Sequence, residues 1–407
     1  MNIIEGGVTT PEGFKAAGVH CGVKYRSLDL GLLYSECPAN AFVGYTSNNV
    51  KAAPVQVMIK QNSPVLSAIV VNSGNANALT GRRGYEDALS MQSTAAKELD
   101  LDPEHVGIMS TGLIGRFMDM HKIRYGISRA ASELDMGRDA DARMAESIMT
   151  TDTMKKEFAV STRLEDGTLV YIAALAKGSG MISPNMRVLQ GTTLSIVTTD
   201  AKLSHNFKSK WQEILDETMN MVSVDGDQST NDMAVLIANG MSNSGYADDD
   251  PEFIDALMLL MSKTAKAIAI DGEGATKLIE VDVTGAKTKE DARKVVKAII
   301  NSPLVKSAIF GSDPNYGRIM MAIGNSGSEF NIDEMRLTIK GGDMEVPILD
   351  GGAPVFQEER SVEVVRMAMD NKEVTILVDL AIGDETAIGW GCDLTYDYVR
   401  INAEYAT

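Results

Sequence analysis

A glycine-threonine step ahead of an apolar run is the first feature of this sequence that can do chemistry. The step is Gly191-Thr192, and the strand-like run Leu194–Thr199 follows it. Glycine permits backbone angles that let a hydroxyl reach the preceding carbonyl carbon, so this bond suits self-cleavage. The released threonine would carry an α-amine with a pKa near ~8, which can act as base for its own hydroxyl. Alone the signal is weak, because Gly-Thr before a strand is common.

A second small-residue motif, Ser110-Thr-Gly-Leu-Ile-Gly115, follows the apolar run 106–109. The Thr111 hydroxyl and a main-chain N–H at Gly112 can both donate hydrogen bonds to the oxyanion of an acyl-transfer intermediate. The same motif is equally typical of a turn. The sequence therefore offers a nucleophile and an oxyanion site, each of them ambiguous by itself.

Other catalytic chemistries have little support. The four histidines stand far apart without HExxH spacing, so no metal site is predicted. Lys177-Gly-Ser-Gly180 lacks the pattern of a phosphate-binding loop, and no GxSxG or GxGxxG motif occurs. The three cysteines lack CxxC spacing, which favours a reducing compartment.

Composition narrows the class of protein further. The chain has 407 residues, of which 44% are hydrophobic and 23% charged, as is ordinary for a globular protein of two or three domains or one large α/β body. Its 38 basic and 56 acidic residues give a net charge of −18, which argues against nucleic acid and anionic membranes as partners. Without a signal-like amino terminus or an apolar stretch of ~20 residues, we expect a cytoplasmic protein.

The elements that must position these residues alternate between strand and helix patterns. Short apolar runs predict strands over residues 67–72, 169–175, 194–199, 233–238, 278–283 and 374–379. Apolar residues at helical spacing predict helices over 86–99, 253–270 and 290–300, the first with Leu89, Ala96 and Leu99 on its buried side. The acidic segment 247–251 predicts a helix start, and the methionine-containing stretches 144–154 and 319–323 predict core filling. Together they indicate a layered α/β fold.

Motifs along nearly the whole chain resemble the ornithine acetyltransferase family, the bifunctional glutamate N-acetyltransferases of arginine biosynthesis. The motifs that carry this resemblance are Gly6-Gly-Val-Thr-Thr-Pro-Glu-Gly-Phe14, Val71-Asn-Ser-Gly-Asn-Ala-Asn-Ala78, Ser110-Thr-Gly-Leu-Ile-Gly115, Met149-Thr-Thr-Asp-Thr153, Lys177-Gly-Ser-Gly-Met-Ile-Ser-Pro-Asn-Met186, Val224-Asp-Gly-Asp-Gln-Ser-Thr-Asn-Asp232, Gly272-Glu-Gly-Ala-Thr-Lys277, Phe310-Gly-Ser-Asp-Pro-Asn-Tyr-Gly-Arg318 and Gly389-Trp-Gly-Cys-Asp-Leu-Thr-Tyr-Asp-Tyr398.

The resemblance implies a layered α/β sandwich of the ornithine acetyltransferase/DmpA-like type, a self-cleaving enzyme with an amino-terminal threonine nucleophile. Cleavage would give an alpha chain of residues 1–191 and a beta chain of residues 192–407. Both chains would build one intertwined fold, with a smaller α/β portion from about residue 280 to the end. Family members usually assemble as dimers of the cleaved pair, so an α2β2 heterotetramer is expected.

The resemblance also implies a ping-pong reaction that moves acetyl from N-acetylornithine to glutamate, with no cofactor. Thr192 would be the nucleophile, Gly191-Thr192 the cleaved bond, and Thr111 and Gly112 the oxyanion hole. The substrate-binding positions carry over to Thr150, Lys177, Thr192, Glu273, Asn402 and Thr407. We expect Lys177 to pair with the substrate α-carboxylate and Glu273 with the side-chain ammonium of ornithine. Some members also use acetyl-CoA, and the sequence leaves that activity open.

The sequence departs from the family pattern at two places. The nucleophile usually follows Pro-Asn-Met after one alanine, whereas Arg187-Val-Leu-Gln-Gly191 precedes Thr192 here, as though four residues were inserted. Ala406 stands where an arginine is common before the last threonine, and we expect a modest effect on affinity. Because of the insertion, two alternatives stay open. Cleavage could occur before Thr193 instead, or the protein could be an unprocessed, non-catalytic relative. A self-cleaving amidohydrolase or aminopeptidase, with water as acceptor, is the other alternative.

Overall fold

The computed structural model describes residues 1–187, 194–355 and 359–404. Their strands are β1 Asn2–Ile4, β2 Phe14–Val19, β3 Leu30–Tyr45, β4 Val65–Asn72, β5 Val106–Ser110, β6 Lys156–Arg163, β7 Leu169–Lys177, β8 Leu194–Thr199, β9 Val222–Ser223, β10 Met233–Ala238, β11 Leu278–Ala286, β12 Arg336–Gly341, β13 Met344–Asp350, β14 Ala353–Pro354, β15 Glu373–Asp379 and β16 Glu385–Cys392. Their α-helices are α1 Ala53–Gln61, α2 Gly81–Leu99, α3 Met120–Ser132, α4 Arg138–Ile148, α5 Phe207–Glu217, α6 Pro251–Ile270, α7 Lys289–Ile300, α8 Pro303–Phe310, α9 Tyr316–Gly324, α10 Glu359–Met369 and α11 Tyr396–Glu404.

The chain divides into two compact units. Unit 1 comprises residues 1–178, 184–220 and 228–264, and unit 2 comprises residues 179–183, 221–227 and 265–407. Each unit combines strands with helices, so the predicted α/β class is confirmed. The division into chains at Gly191-Thr192 and the portion from about residue 280 concern processing and family architecture, and they stay predictions.

Unit 1 is built on a sheet that, within the described residues, runs in the order β1-β6-β7-β8-β10-β3-β4-β5, with β2 paired to β3. β8 is parallel to β10, and β4 is parallel to β5. Every residue of β8 and β10 is buried, as expected for central strands covered on both faces. The sequence predicted both of these strands at their observed bounds.

Helices of unit 1 pack on this sheet and close its hydrophobic core. Gly31 of β3 lies so near α4 that an added Cβ would be 2.4 Å from the Ser147 hydroxyl oxygen, which brings the helix close to the sheet. The prediction for Leu89 was wrong, because Leu89 is 40% exposed. Helix α2 buries Ala88 and Met91 near this position, whereas the predicted Ala96 is buried as expected.

Unit 2 contains a second sheet, whose described strands run in the order β14-β13-β12-β15-β11-β16-β9. β11 is parallel to β15 and antiparallel to β16. Helix α7 packs on β11 and β16 through Val295, Val296 and Ile299, which are all fully buried. Its predicted bounds, 290–300, agree with the observed helix within one residue.

The acidic segment before α6 begins that helix, as predicted. The Asp250 carboxylate accepts a hydrogen bond from the Phe253 main-chain N–H at 3.1 Å, and Pro251 is the first helical residue. The prediction that the methionine-containing stretches fill the core was wrong for Met154 and Met321. Their exposed fractions are 42% and 38%. Met154 lies in the connection between α4 and β6, and Met321 lies on the outer face of α9.

None of the helices that the structure describes is both long and apolar enough to cross a membrane. The longest of them, α6, carries charged residues along its length.

Candidate active site

The predicted oxyanion residues Thr111 and Gly112 follow the end of β5. The Thr111 main-chain N–H is already used, since it donates to the Asn72 carbonyl at 2.9 Å. Gly112 has φ +129°, and a Cβ there would lie 2.4 Å from the main-chain carbon of Gly74 and 2.5 Å from the nitrogen of Asn75. Only glycine fits this position. Within the described residues, the Gly112 N–H has no hydrogen-bond acceptor, which leaves it as a donor for a ligand.

Asparagine side chains hold in place the loop 110–113, which carries the predicted oxyanion residues Thr111 and Gly112. Asn72 accepts the Ser110 hydroxyl at 2.6 Å, and Asn75 donates to the Arg116 carbonyl at 3.2 Å. Asn231, just ahead of β10, donates to the Ser110 carbonyl at 2.8 Å. These bonds explain why the asparagine-rich motif 71–78 and the motif 224–232 accompany the oxyanion motif. Sequence reasoning quoted both motifs without assigning them a role.

Lys177 is the last residue of β7, and its ammonium contacts Thr111. Lys177 Nζ donates to the Thr111 hydroxyl oxygen at 3.3 Å, and both residues are buried. An ammonium group has no acceptor, so the hydroxyl oxygen accepts this bond and the hydroxyl hydrogen stays available to another acceptor. The contact therefore orients Thr111 as a donor next to the Gly112 N–H.

Thr150 follows α4 and is tied to the Lys177 segment through a buried carboxylate, Asp152. One oxygen of Asp152 accepts the Thr150 main-chain N–H at 2.9 Å. The other accepts the Gly178 N–H and Lys156 Nζ, both at 2.7 Å. Burial opposes the charged form, but the positive charges of Lys177 and Lys156 outweigh it and hold the pKa of Asp152 well below its usual range. Sequence reasoning did not identify Asp152 or Lys156.

In unit 2, the structure brings together the predicted substrate residues Glu273 and Asn402. Asn402 Nδ2 donates to a Glu273 carboxylate oxygen at 2.8 Å. The carboxylate packs against Gly180, where an added Cβ would lie 2.3 Å from it. Glu273 is 9% exposed and, among residues that the structure describes, has no ion-pair partner. Such a carboxylate suits a cationic ligand group.

A second acidic side chain organises the same part of unit 2. Asp225 accepts the main-chain N–H groups of Met181 at 2.7 Å and Ile182 at 3.0 Å. The Tyr398 hydroxyl donates to it at 3.4 Å. Burial raises the pKa of Asp225, and the N–H donors only partly offset that effect. Neither Asp225 nor Tyr398 was predicted, because their pairing depends on the fold.

Arg187, the first residue of the segment predicted to be inserted, lies in unit 1. The Arg187 carbonyl accepts the Tyr45 main-chain N–H at 3.0 Å, and Arg187 Nη1 lies 3.5 Å from an Asp216 carboxylate oxygen. The chain is described again from Leu194, which lies opposite Lys177 in the sheet register. Gly191 and Thr192, the predicted cleavage pair, fall outside the described residues.

The structure thus places the described members of the predicted site in two groups. Thr111, Gly112, Thr150 and Lys177 form one cluster in unit 1, and Glu273 and Asn402 form a pair in unit 2. Gly191, Thr192, Thr193, Ala406 and Thr407 lie outside the described ranges. No group of three or more His, Cys, Asp or Glu side chains in the described part of the chain could hold a metal ion.

Comparison with known proteins places the chain among enzymes. The model of the ArgJ family matches residues 15–407. A relative from Oceanobacillus iheyensis, named arginine biosynthesis bifunctional protein ArgJ, is 44% identical over 415 residues that cover 100% of this chain and 98% of the relative. A glutamate N-acetyltransferase from Methanothermobacter thermautotrophicus is 45% identical over 412 residues, covering 100% of this chain and 99% of the relative.

Among solved structures, ornithine acetyltransferase from Mycobacterium tuberculosis, in complex with ornithine, is 36% identical with a TM-score of 0.43. The match covers 46% of this chain and 99% of that chain. The sequence matches identify the chain as an acyltransferase enzyme of arginine biosynthesis. More narrowly, it belongs to the ArgJ family, so the resemblance stated from the motifs is confirmed.

Proposed function

We propose that the chain moves the acetyl group of N-acetylornithine to glutamate through an acetyl ester on Thr192. The Thr192 oxygen attacks the acetyl carbonyl carbon, and the bond from that carbon to the ornithine nitrogen breaks. The Thr192 α-amine passes the hydroxyl proton to the leaving nitrogen. The glutamate α-amine then attacks the ester, and the threonine oxygen recovers a proton. The atoms balance without a cofactor, and we propose that none is required.

The observation that carries this proposal is the donor pair at Thr111 and Gly112. A tetrahedral intermediate places negative charge on the former carbonyl oxygen, and preorganised donors stabilise that charge. The Gly112 N–H is held by close packing on Gly74, while Lys177 directs the Thr111 hydroxyl as a donor. Two fixed donors suit an acetyl oxyanion in either half of the reaction.

Substrate recognition divides by charge in this proposal. Lys177, at the unit 1 cluster, binds the α-carboxylate that N-acetylornithine and glutamate both carry. Glu273, supported by Asn402, binds the side-chain ammonium of ornithine. Thr150 and the terminal Thr407 complete the binding residues. The burial of the Glu273 carboxylate, with no ion-pair partner among the described residues, supports this assignment.

Processing and assembly complete the proposal. Self-cleavage at Gly191-Thr192 gives chains 1–191 and 192–407, which remain associated as α2β2. The enzyme acts in the cytoplasm. Acetyl-CoA is a co-substrate only if it also acetylates Thr192. An acetyl-transfer assay with acetyl-CoA as donor decides this.

The first test is the intact mass of the purified protein under denaturing conditions, with sequencing of new amino termini. We expect two chains that divide before Thr192, and a Thr192→Ala variant that remains a single 43.7 kDa chain. Thr193→Ala is the matched control and is expected to cleave normally. A division before Thr193 would move the nucleophile by one residue, and an uncleaved wild type would favour the non-catalytic alternative.

The second test measures transfer of labelled acetyl from N-acetylornithine with and without glutamate. We expect N-acetylglutamate to form and turnover to depend on glutamate. Release of free acetate at the same rate without glutamate would instead identify an amidohydrolase. Replacing N-acetylornithine by acetyl-CoA in the same assay determines whether the enzyme has the additional activity.

A further inference from the structure

Asp152 makes bonds to two backbone segments that are far apart in sequence. Its side chain has no exposed area, and its two oxygens receive three hydrogen bonds. Two of the donors are the main-chain N–H groups of Thr150 and Gly178. Thr150 is itself a proposed binding residue, and Gly178 directly follows Lys177. A single carboxylate therefore connects the two segments on which unit 1 recognition depends.

We propose that Asp152 is the positioning residue of the unit 1 cluster, fixing with one buried carboxylate the backbones that carry Thr150 and Lys177. This inference rests on the substrate-binding roles proposed for those two residues. Asp152 acts through them and need not touch substrate itself. The ion pair with Lys156 compensates its buried charge.

Local backbone geometry shows why the hydrogen bonds to Asp152 are needed. Helix α4 ends before Met149, whose extended backbone (φ −63°, ψ 150°) turns the chain out of the helix. Gly178 has φ +155°, a conformation that side-chain-bearing residues rarely adopt, immediately after β7. Thr150 and Gly178 lie just past the ends of α4 and β7, so the Asp152 bonds hold the chain where the regular helix and strand stop.

The charge arrangement supports the same role. Lys177 and Lys156 both act on the Asp152 carboxylate, and their combined effect keeps it ionised despite burial. Lys24 donates from Nζ to the Met149 carbonyl at 2.9 Å, and its charge also interacts with those of Asp152 and Lys177. A neutral side chain at position 152 would leave the lysine charges uncompensated in addition to loosening the two backbones.

The variants that test this role separate positioning from general stability. Asp152→Asn removes the charge and replaces one acceptor oxygen by a donor that faces an N–H group. Asp152→Glu keeps the charge but displaces the carboxylate by one methylene. Lys156→Met removes the ion pair while leaving the carboxylate and its two main-chain bonds. Asp200→Asn is the matched control, because buried Asp200 also accepts two main-chain N–H bonds, from Glu12 and Tyr171.

For each variant we would measure cleavage by mass, the unfolding temperature, KM and kcat with both substrates, and the dissociation constant of ornithine by calorimetry. For Asp152→Asn and Asp152→Glu we expect KM and the ornithine dissociation constant to rise about 10- to 100-fold, with a smaller fall in kcat. Lys156→Met and Asp200→Asn are expected to unfold at lower temperature with KM within about threefold of wild type.

Measuring ornithine binding separates the positioning role of Asp152 from the proposed acetyl-transfer function. If the wild type is active and both Asp152 variants keep its KM, the positioning role is refuted while the proposed function stands. Equal increases of KM in Lys156→Met and Asp152→Asn would also refute it, because the ion pair would then be the relevant feature. If the wild type binds ornithine without transferring acetyl, the reaction is wrong and the ornithine dissociation constants alone decide the role. A wild type that neither transfers acetyl nor binds ornithine overturns both.

Discussion

Asp152 in unit 1 and Asp225 in unit 2 both accept main-chain N–H groups, but their charged surroundings differ. Asp152 lies among lysines, which keep its pKa low despite complete burial. Asp225 is half-buried, its pKa is raised by burial, and the charge of Asp227 adds to that effect. The carboxylates of Asp225, Asp227 and Glu273 also raise the pKa of the nearby Tyr398 hydroxyl, after burial as the main cause.

The difference indicates a division of labour within the site residues. Unit 1 places the Lys177 ammonium against the Thr111 hydroxyl, which precedes the Gly112 N–H, and this arrangement suits a carboxylate and an oxyanion. Unit 2 gathers acidic groups around Glu273, which suits an ammonium group. Loss of the donors at Thr111 and Gly112 in unit 1 is therefore expected to affect the chemical step, whereas replacement of Glu273 in unit 2 is expected to affect recognition of one substrate.

The largest expected effect belongs to Gly112, a proposed oxyanion residue of unit 1. In Gly112→Ala the methyl group meets the backbone of Gly74 at 2.4 Å, so the loop must move and its N–H donor is displaced. We expect kcat to fall about 100- to 1000-fold, measured by steady-state acetyl transfer. Gly115→Ala is the control, because Gly115 also has positive φ but open space around it. Comparable losses in both variants would show that backbone strain, rather than the displaced donor, lowers kcat.

Next in size is the loss of the Lys177 ammonium. Lys177→Met removes the donor that orients the Thr111 hydroxyl and also the proposed carboxylate partner. We expect kcat to fall about 10- to 100-fold and KM for both substrates to rise. Lys155→Met, at an exposed nearby lysine, is expected to behave as wild type. A rise in KM with unchanged kcat would confine Lys177 to substrate binding.

A smaller and more selective effect is expected in unit 2. Glu273→Gln removes the negative charge that would face the ornithine ammonium but preserves the shape of the side chain. We expect KM for N-acetylornithine to rise about 10-fold and KM for glutamate to stay constant, since glutamate has no side-chain ammonium. Glu280→Gln, at a carboxylate bound by Trp390 and Lys266, is the control. Unchanged kinetics with N-acetylornithine would exclude Glu273 as the ammonium partner.

The elements around these residues were easier to predict than the contacts between them. Strand β8 was predicted at its observed bounds because all its residues are buried and apolar or small, and α7 because its apolar residues recur at helical spacing. Leu89 was misplaced because it is apolar at helical spacing from Ala96, although the helix buries the adjacent Ala88 instead. Thr111 and Lys177 were predicted from motifs, but their contact joins segments 66 residues apart and depends on the fold.

The roles of Asp152 and Asp225 could not be predicted from the sequence, because they too depend on contacts that only the fold creates. Nothing in an aspartate's local sequence says whether it faces solvent, lysines or main-chain N–H groups, and that environment determines its role. Both residues do lie within motifs that carried the family resemblance. A polar residue inside such a motif that has no assigned chemistry is thus a sensible place to look for a positioning role.

The smallest expected effect is a difference in how the two carboxylates respond to acid. The pKa of Asp225 in the folded state exceeds its unfolded value, about 3.9, so between the two values the folded state binds more protons. Its contribution to stability therefore grows as the pH falls through that window. The folded pKa of Asp152 lies below the unfolded value, so its stabilisation is present above about pH 3.9 and is lost below it.

Calorimetric unfolding temperatures of wild type, Asp225→Asn and Asp152→Asn at a series of pH values test this contrast. As the pH is lowered from about 7 to about 4, we expect wild type to gain a few degrees relative to Asp225→Asn, because only wild type can take up the proton. The deficit of Asp152→Asn should stay constant over that range and narrow only at lower pH. Parallel curves for the two variants would mean that the lysines of unit 1 do not set the charge state of Asp152, and the contrast between the two regions would then rest on geometry alone.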